Sequence, residues 1–424
     1  MSEEFLHYIW QHKLYYPQHL QTSAGQAVEV IHPGTKNTDG GPDFFNAKIK
    51  IDTTLWAGNV EIHQNEDEWY THQHHKDAAY DNVILHVVDK LSSQTVNSKE
   101  RTIAVCQLNY PNHIAEQYTQ LLMNDQWIAC ANSFHKVKPF NLDQWLNRLL
   151  IEKLEEKSHF INTLLHATKN DWDQAFFILL ARSFGFGING LPFEMMARQT
   201  KLSILLKHAD QLFQLEAILL GQAGFLTSPK QTDAYTNRLA KEYAFLKSKY
   251  QLTPIESHLW KFLRLRPSNF PTVRLAQLAS LIHRIKGQFS RLQNIEHINK
   301  THHLLAVKTS DYWQSRYQLG ITSSKTSVKQ LGQQSIQRII YNTIIPYLFI
   351  YAAKQNKVNN KEKIIDFLYE QAPEKNRILS NWEQLNVKIE NEARAQALIF
   401  LKNSYCNHKK CLNCRIGHNV LCKP

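Results

Sequence analysis

The sequence predicts an α/β region at the N-terminus, a mostly α-helical region after it, and a four-cysteine metal knuckle at the C-terminus. Three observations carry that division. Short alternating or continuous apolar blocks fill roughly the first 110 positions, and from about residue 141 apolar residues recur at helical spacing. Cys406, Cys411, Cys414 and Cys422 then crowd the end of the chain. The boundaries this implies are 1–125, 126–400 and 401–424.

Apolar residues at helical spacing over 3–20 (Phe5, Leu6, Ile9, Trp10) read as an opening helix. AVEVIHPG is a short strand closed by a Pro-Gly turn, and FFNAKIKI and LWAGNVEIH are two strands joined by Asp52-Thr53-Thr54. Residues 65–81 open with acids and lack β-branched runs, which predicts a helix. NVILHVVDK and RTIAVCQLN are further strands, the first continuous enough to be buried on both faces. The order is therefore α-β-β-β-α-β. Beyond residue 141 the periodicity predicts an all-α region, with non-helical insertions at 184–194 and 263–281.

Charge is unevenly spread. The chain has a net charge of +12, but residues 1–125 hold 8 Lys+Arg against 16 Asp+Glu, a net of −8, leaving +20 on the remainder. A basic body predicts a polyanionic partner, since lysine and arginine at phosphates release counterions. Nucleic acid, with DNA ahead of RNA, is the expected partner. Ten of the 21 histidines fall in the acidic part, which is the mixture a cation site needs. The first residues lack the pattern of a secretory signal, and the longest apolar run, 339–353, is interrupted by Asn342, Thr343 and Pro346. The expectation is a cytoplasmic protein with no membrane span.

The hairpin at 43–63 carries the chemistry. Side chains alternate along a strand, so Glu61 and His63 share a face. A three-residue turn would pair positions summing to 106 and set Asp43 opposite His63 and diagonal to Glu61. Two carboxylates so close repel unless a cation lies between them, and Mg²⁺ (or Mn²⁺) suits a sparse carboxylate set.

Pro42-Asp43, a hairpin, and then Glu61-Ile62-His63 resemble the PD-(D/E)xK nuclease superfamily, whose restriction-endonuclease-like core has this element order. The resemblance implies metal-dependent phosphodiester hydrolysis, with Asp43 and Glu61 holding the ion and Glu29 available as a further ligand. His63 stands where the pattern has lysine. It would act as catalytic base or ligand unless Gln64, Lys48 or Lys76 substitutes. On the expected helix, His72, His75 and Lys76 share a face as auxiliary groups, while His72-x-His74 offers a zinc pair for a small-substrate metallohydrolase. A nucleic-acid-binding protein with a degenerate nuclease core is the remaining alternative.

The tail spacing C-x4-C-x2-C-x7-C suits four thiolates on zinc or a [4Fe–4S] cluster. It is similar to the cluster loop of endonuclease-III-like glycosylases. Cys106 and Cys130 read as core thiols. Arg264, Arg266 and Arg274, around two prolines, are the expected phosphate-contacting loop. Taken end to end, GPDFFNAKI, WAGNVEIH, VILHVV, LEAILLGQAGFL and RPSNFPTVRLAQLA resemble an uncharacterised bacterial domain-of-unknown-function family.

Overall fold

The computed structural model describes residues 1–422 apart from 93–94, 228–231, 287–291, 295–297 and 299. The chain forms two compact units, Met1–Trp145 with Leu401–Pro424, and Leu146–Phe400. The cysteine tail thus belongs to the first unit, whose boundary falls at 145 rather than 125.

The first unit opens with helix α1 (Glu3–Gln11), capped by the Ser2 hydroxyl, which accepts from Phe5 N at 3.3 Å. It ends well before residue 20, because Lys13 turns left-handed (φ 53°) and Pro17 follows. Strands β1 (Val28–His32), β2 (Thr35–Lys36), β3 (Phe44–Ile51) and β4 (Thr54–Asn65) come next. After the short helix α2 (Glu68–Thr71) the chain forms β5 (Val83–Lys90), β6 (Ala104–Gln107) and α3 (Asn112–Met123). The sheet order is β1-β3-β4-β5-β6, with β2 also on β3. The β1-β3-β4 meander is antiparallel, while β4-β5 and β5-β6 are parallel.

The hairpin register differs from expectation. Its turn has two residues, so that Ile51 faces Thr54, with left-handed Asp52 (φ 51°) accepting from Ala27 N at 3.0 Å. A bulge between Phe44 and Ala47, with Asn46 at φ 58°, then shifts the pairing again, and Phe44 faces Val60. The stretch 65–81 is not one helix either. Left-handed Gln73 (φ 62°) breaks it into α2 and two single 3₁₀ turns, His74–Lys76 and Ala78–Tyr80.

Alternation in β4 and β5 sorts their residues. Val60, Ile62, Leu85 and Val87 join Phe5, Leu6, Ile9 and Trp10 of α1, Ile114 and Leu121 of α3, and Leu412, Val420 and Leu421 of the tail in one core. Glu61, His63 and His86 are buried on the opposite face, where Trp69, Tyr80, Val83 and Ile103 form a smaller cluster.

The second unit is mostly helical but not wholly so, since Arg316–Gln318 and Ile321–Thr322 pair as a short hairpin. The region expected as an insertion at 263–281 holds a helix, Pro271–Ile285. Proline sits at its first position, where no N–H is needed. Likewise the glycine-rich stretch at 184–194 leads into the helix Gly190–Arg198. Among the described residues no helix is long and apolar enough to cross a membrane.

Candidate functional site

The revised register brings Asp43 and Glu61 directly together. Asp43 N donates to Glu61 Oε2 at 3.1 Å, and Ile62 N donates to Asp43 Oδ2 at 2.9 Å. Each carboxylate is thus fixed by the backbone of the other strand. Glu61 is buried, and burial first, then the charge of Asp43, pushes its pKa up to about 9.

Nitrogen ligands surround this pair. His74 Nε2 and His63 Nε2 lie 3.3 and 3.5 Å from Glu61 Oε1. On the other side His7 Nε2 of α1 is 3.1 Å from Asp43 Oδ2 and 3.7 Å from Glu3 Oε1. The ligand atoms of His63, His72 and His74 lie within 4.8 Å of one another, and so do those of Glu3, His7 and Asp43. Glu61 joins the two sets, touching histidines through one oxygen and the Asp43 backbone through the other.

A buried chain behind the site fixes the state of His63. The Thr95 hydroxyl donates to Glu66 Oε1 at 3.2 Å, and Glu66 is held by Ser92 N at 2.9 Å. Thr95 Oγ1 therefore accepts from His86 Nδ1 (3.2 Å), which leaves His86 Nε2 as acceptor for His63 Nδ1–H (2.9 Å). His63 Nε2 is left with a lone pair facing His72 Nδ1 at 3.2 Å and Glu61 Oε1 at 3.5 Å, with His74 stacked on its ring. Burial, then His74 and His72, lowers the pKa of His63 to about 4, and burial lowers that of His74. Both rings are neutral near pH 7, the form that binds metals.

A family model described as "Protein of unknown function (DUF2851)" matches residues 3–377. The chain belongs to this family. No curated protein and no solved structure matches. The DUF2851 match takes in every residue of the cluster and ends before the cysteine tail.

In this DUF2851 protein the other expected site residues are dispersed. Glu29 is exposed and pairs with Lys50, seven residues along from Asp43, or about 20 Å of strand. It takes no part in the cluster. Gln64 alternates to the opposite face from His63, and its backbone N donates to Glu68 Oε2. Past left-handed Gln73 the shared face of His72, His75 and Lys76 is lost: His72 stays at the site, His75 packs tilted against Tyr70 at 5.0 Å, and Lys76 is exposed.

The sequence reading missed Glu3, His7, His86, Thr95 and Glu66, and left His74 outside its main site. Two signals were present: Glu3 and His7 are spaced i, i+4, and His86 interrupts an otherwise apolar strand.

Of the loop arginines, Arg264 and Arg266 are exposed. Arg274 is not a phosphate contact. It is buried, bonded to Gln277 Oε1 (2.9 Å), Asn269 Oδ1 (2.6 Å) and Ser335 Oγ (3.2 Å), and lies over the Phe186 ring.

Proposed function

We propose that this chain is a divalent-metal-dependent phosphodiesterase of nuclease type acting on nucleic acid. The observation that carries the reading is the convergence of Asp43 and Glu61 from paired strands, with imidazoles on either side and, among the described residues, no lysine or arginine in ion pair with them. The element order also supports it: an opening helix, an antiparallel meander, a crossover carrying the short helix α2 and then parallel strands resemble the order of the PD-(D/E)xK core.

In this reading Asp43, Glu61, His63 and His74 hold one cation, and Glu3 and His7 with Asp43 offer a second position. The donor set suits the chemistry, with imidazole favouring Mn²⁺ or another transition metal over Mg²⁺. A bound divalent ion supplies polarisation of a phosphoryl oxygen and a more acidic water. His63, committed through His86 to one tautomer, orients rather than exchanges protons. His72, exposed and 3.2 Å from His63 Nε2 through its Nδ1, connects the site to solvent.

Hydrolysis of a small substrate by a histidine-held metal is a second reading, favoured by the His63, His72 and His74 set. Labelled DNA and RNA, alongside bis(p-nitrophenyl) phosphate, incubated with Mn²⁺ or Mg²⁺ distinguish the two. Cleavage of nucleic acid that is lost in Asp43→Ala and Glu61→Gln is expected. Turnover of the small ester alone favours the second reading, and salt-sensitive nucleic-acid binding without cleavage indicates a degenerate core.

A further inference from the structure

We propose that Cys130, Cys406, Cys411 and Cys414 form one four-thiolate metal centre of iron–sulfur type, and that Cys422, the last cysteine of the tail motif, lies outside it. The grouping follows from how the tail is folded. Cys411 and Cys414 close a turn in which Cys414 N donates to Cys411 O at 3.3 Å. That turn is packed so tightly on Gly417 that an added Cβ would lie 2.1 Å from Cys411 O. The Cys414 sulfur is buried beside the backbone N–H groups of Ile416 and Gly417. Such donors stabilise a thiolate. Cys406 enters where the π-helical turn Leu401–Tyr405 gives way to a 3₁₀ turn, a backbone irregularity of the kind found at functional sites.

Cys130 reaches the same place from a distant part of the sequence. Lys402 Nζ donates to Trp127 O and Lys409 Nζ to Leu122 O, clamping the tail to the segment that leads into Cys130. Asn124 Nδ2 holds that segment in shape by donating to Ala129 O at 2.8 Å. Cys130 packs against the core cluster that contains Cys411. Cys130 lies within electrostatic reach of Cys414 and Cys411, and Cys406 within reach of Cys414, Cys130 and Cys411.

Cys422 has different neighbours. Its sulfur lies 3.8 Å from Tyr8 Oη and 3.7 Å from His418 Nδ1, and those two are themselves bonded at 2.8 Å. Among the described residues no three cysteine sulfurs lie within 4.8 Å of one another. One tetrahedral zinc would draw its sulfurs to about 4 Å apart. A cluster in which each thiolate binds a separate iron needs no such close set.

Full-length protein purified anaerobically tests this without any variant. Iron and acid-labile sulfide are expected, with the broad visible absorption of a cluster. Alkylation of the folded protein followed by mass spectrometry should label Cys422 and spare Cys130, Cys406, Cys411 and Cys414. Cys422→Ser should keep the iron, and Cys130→Ser should lose most of it. Labelling of Cys130 with protection of Cys422, stoichiometric zinc without sulfide, or no bound metal overturns the proposal.

Discussion

His7 Nε2 is buried 3.1 Å from Asp43 Oδ2, yet makes no hydrogen bond with it. An imidazole nitrogen and a carboxylate oxygen this close, with no hydrogen bond joining them, offer two ligand atoms to one cation. Cation binding there should stabilise the fold. Mn²⁺ is expected to raise the melting temperature more than Mg²⁺ does, and His7→Ala to weaken Mn²⁺ binding about tenfold or more by calorimetric titration. An unchanged affinity would place the ion elsewhere.

The Thr95 hydroxyl sits three bonded groups from the carboxylate pair, so its effect tests the relay behind His63. Thr95→Val keeps the side-chain volume but removes the acceptor for His86. Metal affinity should fall about 10-fold to 100-fold, as for other groups that orient a ligand. Stability should fall by about 1–3 kcal/mol because buried polar partners are left unpaired. Loss of stability with unchanged metal affinity would reduce the relay to packing.

Arginines eight residues apart should behave differently. Arg274→Ala removes three hydrogen bonds and a cation–ring contact from a buried guanidinium, so a loss of about 3 kcal/mol in chemical denaturation is expected. Arg266→Ala, at an exposed position, should leave stability within about 0.5 kcal/mol. If the loop contacts phosphate, the same change makes nucleic-acid binding less sensitive to salt.

In the second unit, Glu392 gives a pH signature. It is buried, accepts from Glu374 N at 2.7 Å, and has its pKa raised by burial from 4.5 to about 7. The folded state holds this proton more tightly than the unfolded chain. Its contribution is therefore complete below about pH 4.5 and is lost as pH rises through about 7. Glu392→Gln should flatten that decline, by up to about 3 kcal/mol at neutral pH. Denaturation midpoints at pH 5 and pH 8 measure it.

The main strands, the helical character of residues beyond 141 and the meeting of Asp43, Glu61 and His63 were readable from the sequence. Those features depend on local alternation and on residue types whose burial is costly unless they are used. The partnership of Asp43 with Glu61 was also readable, although its register was not. A bulge at Asn46 and a two-residue turn depend on single left-handed residues whose conformation the apolar pattern does not encode.

What the sequence by itself determined is the opening helix, the main strands and the residue types able to bind a cation. The tertiary structure alone decided which of them meet. It brought Glu3 and His7 from the opening helix to Asp43, aimed His63 through His86 and Thr95, withdrew Glu29 along the sheet, and buried Arg274. Spacing along the chain ranks neighbours by sequence. Ligand geometry is set by strand register and helix packing, which act between residues far apart in sequence.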